Sequence, residues 1–238
     1  MVNNIINQEE KILEVGGGDN PLHFPHSNID VTSPNTAKCK QFSIVHYQHD
    51  ISYKPWPFPD GGFHFVISLY TMEHISWRNF NNVLEEIYRI LKPGGELFFT
   101  TSNLFMQCKR ILDDGVIPDT VEMLFGSQEF PNHAGCHKNG FSPGSIKEIL
   151  EKIGFRNIVV YHSPRPTIAI NNQPIYPSCP TDMAIKAYKP LNTPIKPVED
   201  TKEAEASIQG NIYSSPQNPP VVVPIQQNPS PHAPILVT

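Results

Sequence analysis

Lys11-Ile12-Leu13-Glu14-Val15-Gly16-Gly17-Gly18-Asp19-Asn20-Pro21 joins a short apolar run to three consecutive glycines. A run of this kind, ending in a glycine cluster, reads as a buried strand feeding a tight turn. Glycines there let the backbone come close to a ligand, because no side chain stands in the way. Two kinds of cofactor use such a turn: dinucleotides and S-adenosylmethionine. The dinucleotide fingerprint needs a third glycine three positions after Gly18, and Pro21 stands there instead. The acidic residue that would hold a ribose is Asp30, only twelve positions past Gly18, where the dinucleotide motif places it about twenty residues on. Both features count against a nicotinamide or flavin oxidoreductase or epimerase.

Outward from this turn the chain alternates strands and helices. Asn28–Val31 and Ser43–Tyr47 are short strand candidates, and Phe63–Tyr70 is nearly continuous in apolar residues, as a buried parallel strand is. Pro55, Pro57 and Pro59, followed by Asp60-Gly61-Gly62, make a rigid loop ahead of it. From Arg78 to Leu91 the apolar residues Phe80, Val83, Leu84, Ile87 and Leu91 recur at helical spacing, and Lys92-Pro93-Gly94-Gly95 stops that helix. Glu96–Thr101 is a further strand. Ser102 to Phe141 is irregular in pattern and too long for a plain connection. Ser142-Pro143 then reads as an N-cap with proline at the first helical position. Ile146, Ile149, Leu150 and Ile153 line one face of that helix, and Gly154 ends it. Ile158–Tyr161 and Met183–Tyr188 are the last strand candidates. The alternation predicts an α/β fold with a parallel sheet and helices on both faces.

Composition bounds the rest. The chain has 238 residues, 25 prolines and 17% charged residues, so proline is about twice its usual share and charge is low. That excludes a coiled coil. Ten of the prolines lie at or after Pro190, where the sequence turns to Pro, Gln, Asn, Ser and Val without period. The expected organisation is a globular domain over 1–189 and a Pro-rich disordered tail over 190–238. In extended form the tail could dock on a protein partner. A net charge of -5 lacks the electrostatic footprint of a general nucleic-acid binder. No apolar run reaches the length of a membrane span, and the first residues have neither the basic nor the apolar region of a secretory leader. Cys39, Cys108, Cys136 and Cys179 form no CxxC pair. Reduced thiols in a cytoplasmic protein are therefore expected.

In order along the chain, Ile12 to Pro21 resembles the first motif of class I S-adenosylmethionine-dependent methyltransferases. Asn28-Ile29-Asp30-Val31 resembles their second strand with its terminal acid. His49-Asp50-Ile51 and Pro57 to Ile67 resemble the adenine-side loop and fourth strand. Met72-Glu73-His74-Ile75 resembles the segment after that strand, and Glu86 to Leu97 resembles the helix, turn and fifth strand. The resemblance implies a Rossmann-like sheet of seven mostly parallel strands and S-adenosylmethionine as cofactor. It further implies cofactor contacts at Glu14, Gly16, Gly18, Asp30, Asp50, Ile51 and Leu69. Gly16 and Gly18 would line the methionine moiety, with Glu14 near its ammonium. Asp30 would take the ribose hydroxyls and Asp50 the adenine amine, with the Ile51 backbone beside it. Leu69 would approach the site of methyl transfer. About a dozen residues, including Pro21 and Pro25, separate the first two strands, so the usual helix between them must be very short or replaced by a loop. This resembles small type-11-like methyltransferase domains with a short first crossover. His64 stands where the family often has aspartate.

The acceptor is less legible. Ser68-Leu69-Tyr70-Thr71 follows the fourth strand in place of an NPPY-like tetrapeptide, which argues against the common amino-methylating nucleic-acid enzymes. His137-Lys138-Asn139-Gly140-Phe141 resembles an H-x-x-G-F pattern of small methyltransferases associated with glycans or lipids. His137 and His74 are accordingly the candidate catalytic residues. The resemblance implies O-methylation of a small molecule, sugar or lipid. The rival reading is a non-catalytic binding or scaffold module of the same fold, with the tail as its docking segment. His133, Cys136 and His137 lack a clear fourth ligand, and no metal is expected.

Overall fold

A computed structural model describes residues 11–128, 135–162, 168–170, 173–175 and 181–193. The apolar run before the glycines forms β1 (Ile12–Val15), buried at every position. β2 (Ser27–Asp30) follows after a turn-rich segment that contains no helix, so a loop replaces the first crossover helix, as Pro21 and Pro25 require. The chain continues through α1 (Thr36–Phe42), β3 (Val45–Gln48), β4 (Phe63–Leu69), a single 3-10 turn (Met72–His74) and α2 (Phe80–Ile90). Next come β5 (Leu91–Ser102), α3 (Leu104–Asp114), α4 (Pro118–Phe125), α5 (Pro143–Ile153) and β6 (Arg156–His162). A small hairpin, β7 (Ile168–Ile170) and β8 (Gln173–Ile175), precedes β9 (Asp182–Tyr188).

Seven strands form one sheet in the order β3-β2-β1-β4-β5-β9-β6. The pairs from β3 through β5 are parallel, and β9 runs antiparallel to both β5 and β6. The order reverses between β1 and β4, and open sheets of this kind bind ligands beside the carboxyl ends of the strands at that switch point. The turn Gly16–Gly18 leaves β1 at that end, and Tyr70 leaves β4 at the same end.

Alternating residues of β4 and β5 feed two apolar clusters. Val66, Leu97 and Phe99 join Phe80, Val83, Leu84 and Ile87 of α2 and Ile146 and Leu150 of α5. Phe65, Ile67 and Phe98 point to the opposite face, where Leu22 and Phe24 of the loop after β1 pack. α1 and α2 are carried by crossovers that run in opposite directions along the sheet. Right-handed crossovers therefore place them on opposite faces.

Local chemistry explains the element ends. Ser142 caps α5 by accepting the Ser145 N–H at 3.2 Å, and Gly154 ends it. Lys189, just past β9, is buried and donates from Nζ to the carbonyls of Tyr88 and Leu91, each at 2.7 Å. It thereby satisfies carbonyls at the C-terminus of α2, where a cation is favoured. Contacts continue to Thr193, whose hydroxyl lies 3.4 Å from that of Tyr88.

The structure adds to the sequence reading at three places. Ser102–Phe141 holds two helices, α3 and α4, whose inward faces bury mostly Gln107 and Thr120 instead of an apolar stripe. α1 buries no residue fully and is equally silent in hydrophobic pattern. The Lys92–Gly95 turn sits inside β5 as an interruption, where pairing with β4 jumps from Phe63–Leu91 to Phe65–Glu96. The tail beyond Thr193, together with His133 and Cys179, lies outside the described residues. No helix among the described residues is long and apolar enough to cross a membrane.

Candidate active site

The glycine turn is built from both sides. Gly16 has φ +82° and Gly18 φ +51°, a backbone region that glycine adopts without steric cost. A Cβ on Gly16 would run into the side chain of Thr71. On Gly17 it would sit 2.7 Å from Glu14 Oε2 and 2.8 Å from Asn28 Oδ1. Above Gly18 the space is open. The three glycines thus do different work: Gly16 makes room for the segment after β4, Gly17 for the side chains beneath, and Gly18 leaves a gap.

Asp30, at the end of β2, faces that gap. Its Oδ2 accepts the Gly18 N–H at 3.1 Å, and its Oδ1 accepts the N–H and hydroxyl of Thr32, each at 2.7 Å. The carboxylate is only 8% exposed yet retains acceptor capacity, since two oxygens offer about four lone-pair sites. Glu14 lies deeper. Its Oε2 accepts the Leu22 N–H at 2.9 Å and lies 2.8 Å from His26 Nε2, so the side chain braces the loop that replaces the first helix.

Asp50 is exposed just past β3, and its Oδ1 accepts the Ser52 N–H at 2.9 Å. Ile51 is buried, and its carbonyl accepts the Trp56 indole N–H at 3.1 Å. That ring belongs to the proline-rich loop, which α2 pins from below. Arg89 donates to the carbonyls of Phe58 and Trp56 and to the carboxylates of Asp60 and Glu86, while Glu86 accepts the Trp56 N–H at 2.6 Å. Burial alone would raise the Glu86 carboxyl, but these donors outweigh it and hold it below the usual range.

After β4 the chain bends sharply. Leu69 packs partly buried against the smaller cluster, and Tyr70 takes φ +50°, unusual for a residue other than glycine. The Thr71 hydroxyl donates toward the carbonyls of Gly16 (3.3 Å) and Leu69 (3.2 Å), tying this bend to the glycine turn. The 3-10 turn then presents Glu73 and His74. The Glu73 carbonyl accepts the N–H groups of Lys138 (2.8 Å) and Asn139 (3.1 Å), which brings His137 against His74 with ring centroids 5.1 Å apart. Glu73 is 2% exposed and accepts the Thr101 hydroxyl at 3.0 Å. Burial pushes its carboxyl up to about 7. Both imidazoles are held below their ordinary value, in each case mainly by burial. The two histidines are therefore predominantly neutral near neutral pH.

Sequence comparison agrees with this architecture. Residues 3–160 match the methyltransferase-domain family, and the chain belongs to it as a class I S-adenosylmethionine-dependent member. No curated protein matches the sequence. Among solved structures, a SAM-dependent methyltransferase from Methanosarcina mazei shares 17% identity at TM-score 0.53, covering 79% of this chain and 96% of that one. Phosphoethanolamine N-methyltransferase 2 of Haemonchus contortus, in complex with S-adenosyl-L-methionine, shares 14% at TM-score 0.51, over 79% of this chain and 50% of that one. The CurJ carbon methyltransferase shares 15% at TM-score 0.51 over 76% of this chain. The present chain spans about half of it, 48%.

The residues present fit S-adenosylmethionine on a structural test. The open space over Gly18 adjoins a nearly buried carboxylate with acceptor capacity, at the switch point of the sheet. The structure gathers Gly16, Gly18, Asp30 and Leu69 about that end of the sheet. It also brings His74 and His137 together, although 63 positions separate them. Glu73 and Thr101 did not stand out in the sequence. The only available signal was an acid next to His74 just after an apolar strand, which a helix cap would equally produce.

Proposed function

We propose that this chain is an enzyme that transfers a methyl group to an oxygen of a small-molecule, glycan or lipid acceptor. Bound S-adenosylmethionine supplies an electrophilic methyl group carried on a sulfonium. On this reading Asp30 would hold the ribose hydroxyls and Asp50 the adenine amine, with the Ile51 backbone beside it. Gly16 and Gly18 would admit the methionine moiety, and Leu69 would border the transferable methyl. Glu14 would act by bracing the turn beneath.

One observation supports an oxygen acceptor most directly: the neutral His74–His137 pair, whose His74 follows the segment that Thr71 ties to the glycine turn. A hydroxyl must lose a proton as it is methylated, and a neutral imidazole within reach can accept it. Methyl transfer otherwise depends largely on proximity and orientation, which the Glu73-anchored loop would supply. Incubation with methyl-labelled S-adenosylmethionine and fractionated extract tests the reading. Label should enter a small-molecule, glycan or lipid fraction through an ether or ester. Label confined to protein, to RNA or to nitrogen would overturn the acceptor assignment.

A further inference from the structure

We propose that Glu73, His74 and His137 bind a divalent transition-metal ion at the carboxyl end of β4. One carboxylate oxygen and one nitrogen from each imidazole all lie within 4.8 Å of one another. Ligands placed about 2.0–2.2 Å from a Zn²⁺ ion lie roughly 3–4 Å apart, so modest side-chain rotation closes the set.

The set is held by the backbone. Glu73 and His74 sit on the 3-10 turn, and His137 arrives on a loop that donates two N–H groups to the Glu73 carbonyl. The His137 N–H itself donates to the Phe125 carbonyl at 2.8 Å. The His74 imidazole is also oriented through one nitrogen. His74 Nδ1 lies 3.1 Å from the Cys136 carbonyl, which can only accept, so Nδ1 carries the proton and Nε2 presents its lone pair. Metal-ligating histidines are commonly fixed this way, by a backbone carbonyl on the other ring nitrogen.

The carboxylate has a complementary need. Glu73 is almost fully buried, and among the described residues no lysine or arginine forms an ion pair with it. A buried carboxylate without a cation is costly, and a dication beside it compensates. Two imidazoles and one carboxylate suit Zn²⁺, Mn²⁺, Fe²⁺ or Co²⁺, and three protein ligands leave a coordination position open. Resting on the oxygen-acceptor part of the reading above, that position would take an acceptor oxygen. With the ion bound, the imidazole lone pairs are committed to it, so the histidines hold the metal in place of accepting the proton. A hydroxyl bound there would pass its proton to solvent water more readily than a free one.

Titration of the chelator-treated full-length chain with Co²⁺ alone, followed by visible absorption and calorimetry, tests the site. One equivalent should bind with a ligand-field spectrum. His74→Ala, His137→Ala and Glu73→Gln should each weaken it by at least about tenfold, and His162→Ala, on the exposed end of β6, should not. Circular dichroism checks that each variant is folded. Absence of Co²⁺ binding to the wild-type chain, or equal binding by the folded His74→Ala/His137→Ala double variant, overturns the proposal. Asp30→Ala should bind Co²⁺ normally while losing S-adenosylhomocysteine. Normal S-adenosylhomocysteine binding without Co²⁺ would thus remove the metal site alone. Specific Co²⁺ binding without methyl transfer would keep the site and remove only the acceptor reading.

Discussion

The Gly18 N–H donates to Asp30 Oδ2 at 3.1 Å, so one carboxylate both fixes the glycine turn and stands beside the gap above it. Asp30→Ala should remove the proposed ribose contact and loosen the turn together. A hydrogen bond to a charged group is worth about 1.5–3 kcal/mol, which corresponds to roughly ten- to hundredfold in affinity. Calorimetry with S-adenosylhomocysteine should show at least that loss, and Gly16→Arg should abolish binding by filling the site. Wild-type affinity in a folded Asp30→Ala variant would mean that the cofactor does not use this acid.

The three glycines should respond differently to alanine. Gly17→Ala forces a methyl group to within 2.7 Å of Glu14 Oε2 and 2.8 Å of Asn28 Oδ1, both of them committed side chains. Overpacking of this kind costs about 1–3 kcal/mol. Gly18→Ala meets no neighbour and pays only for its left-handed backbone, about 1 kcal/mol. Urea denaturation of the two variants should rank Gly17→Ala as the less stable. The reverse order would contradict the packing described for this turn.

The parts that announced themselves in the sequence were those with strong period or punctuation. β1 and β4 were legible because they are buried on both faces, and α2 because Phe80, Val83, Leu84 and Ile87 repeat at helical spacing. α3 was not, because its fully buried residue is Gln107, which is held by the Met123 carbonyl at 2.7 Å. An element packed through a polar side chain leaves no hydrophobic stripe. The site divides along the same line. Asp30 ends a strand next in space to the glycines, so local reading reaches it. The Glu73–His137 juxtaposition depends on two N–H groups of a loop meeting one carbonyl, and no sequence period encodes that meeting.

Acid should loosen the proline-rich loop around Trp56 and Phe58 through Glu86. Its folded carboxyl is held below the ordinary range, so its stabilisation is fully present above about pH 4.3, the ordinary glutamate value. That stabilisation is lost as the pH falls through the lower folded value. Glu86→Gln should therefore be less stable than wild type near neutrality, and the difference should shrink at about pH 3. Arg89→Ala should cost about 2–3 kcal/mol at neutral pH, because it strips the carbonyls of Trp56 and Phe58 and leaves Glu86 buried without its partner. Chemical denaturation at the two pH values checks both. A gap for Glu86→Gln that widens in acid would reverse the sign and refute the assignment.

Lys189 sets the expected edge of the folded unit. Its ammonium satisfies the carbonyls of Tyr88 and Leu91 in a site where it is 4% exposed. Lys189→Ala should cost about 1–3 kcal/mol, since buried acceptors are left unpaired. A chain ending at Thr193 should keep the thermal midpoint of the full chain, whereas one ending at Tyr188 should lose several degrees. Equal midpoints for the two truncations would show that α2 does not depend on this lysine.

Gly126 tests the histidine pair without touching it. The residue ends α4 with φ +78° and pairs with Cys136 in an isolated bridge that delivers His137 to His74. A Cβ there would strike the Gly135 carbonyl and come within 2.9 Å of the His137 backbone and ring. Gly126→Ala should therefore displace His137 by a fraction of an ångström to an ångström. Misplacement of about 1 Å at a reacting group costs up to roughly a hundredfold in rate. The residues proposed to hold the cofactor lie on other elements, so S-adenosylhomocysteine affinity should stay within about twofold of wild type while methyl transfer falls at least about tenfold. The His74 and His137 ring resonances, followed by NMR, should both move. If they stay in place and turnover is unchanged, the loop position has no part in handling the acceptor. Parallel losses of affinity and turnover would instead mean that the substitution had damaged the whole carboxyl end of the sheet.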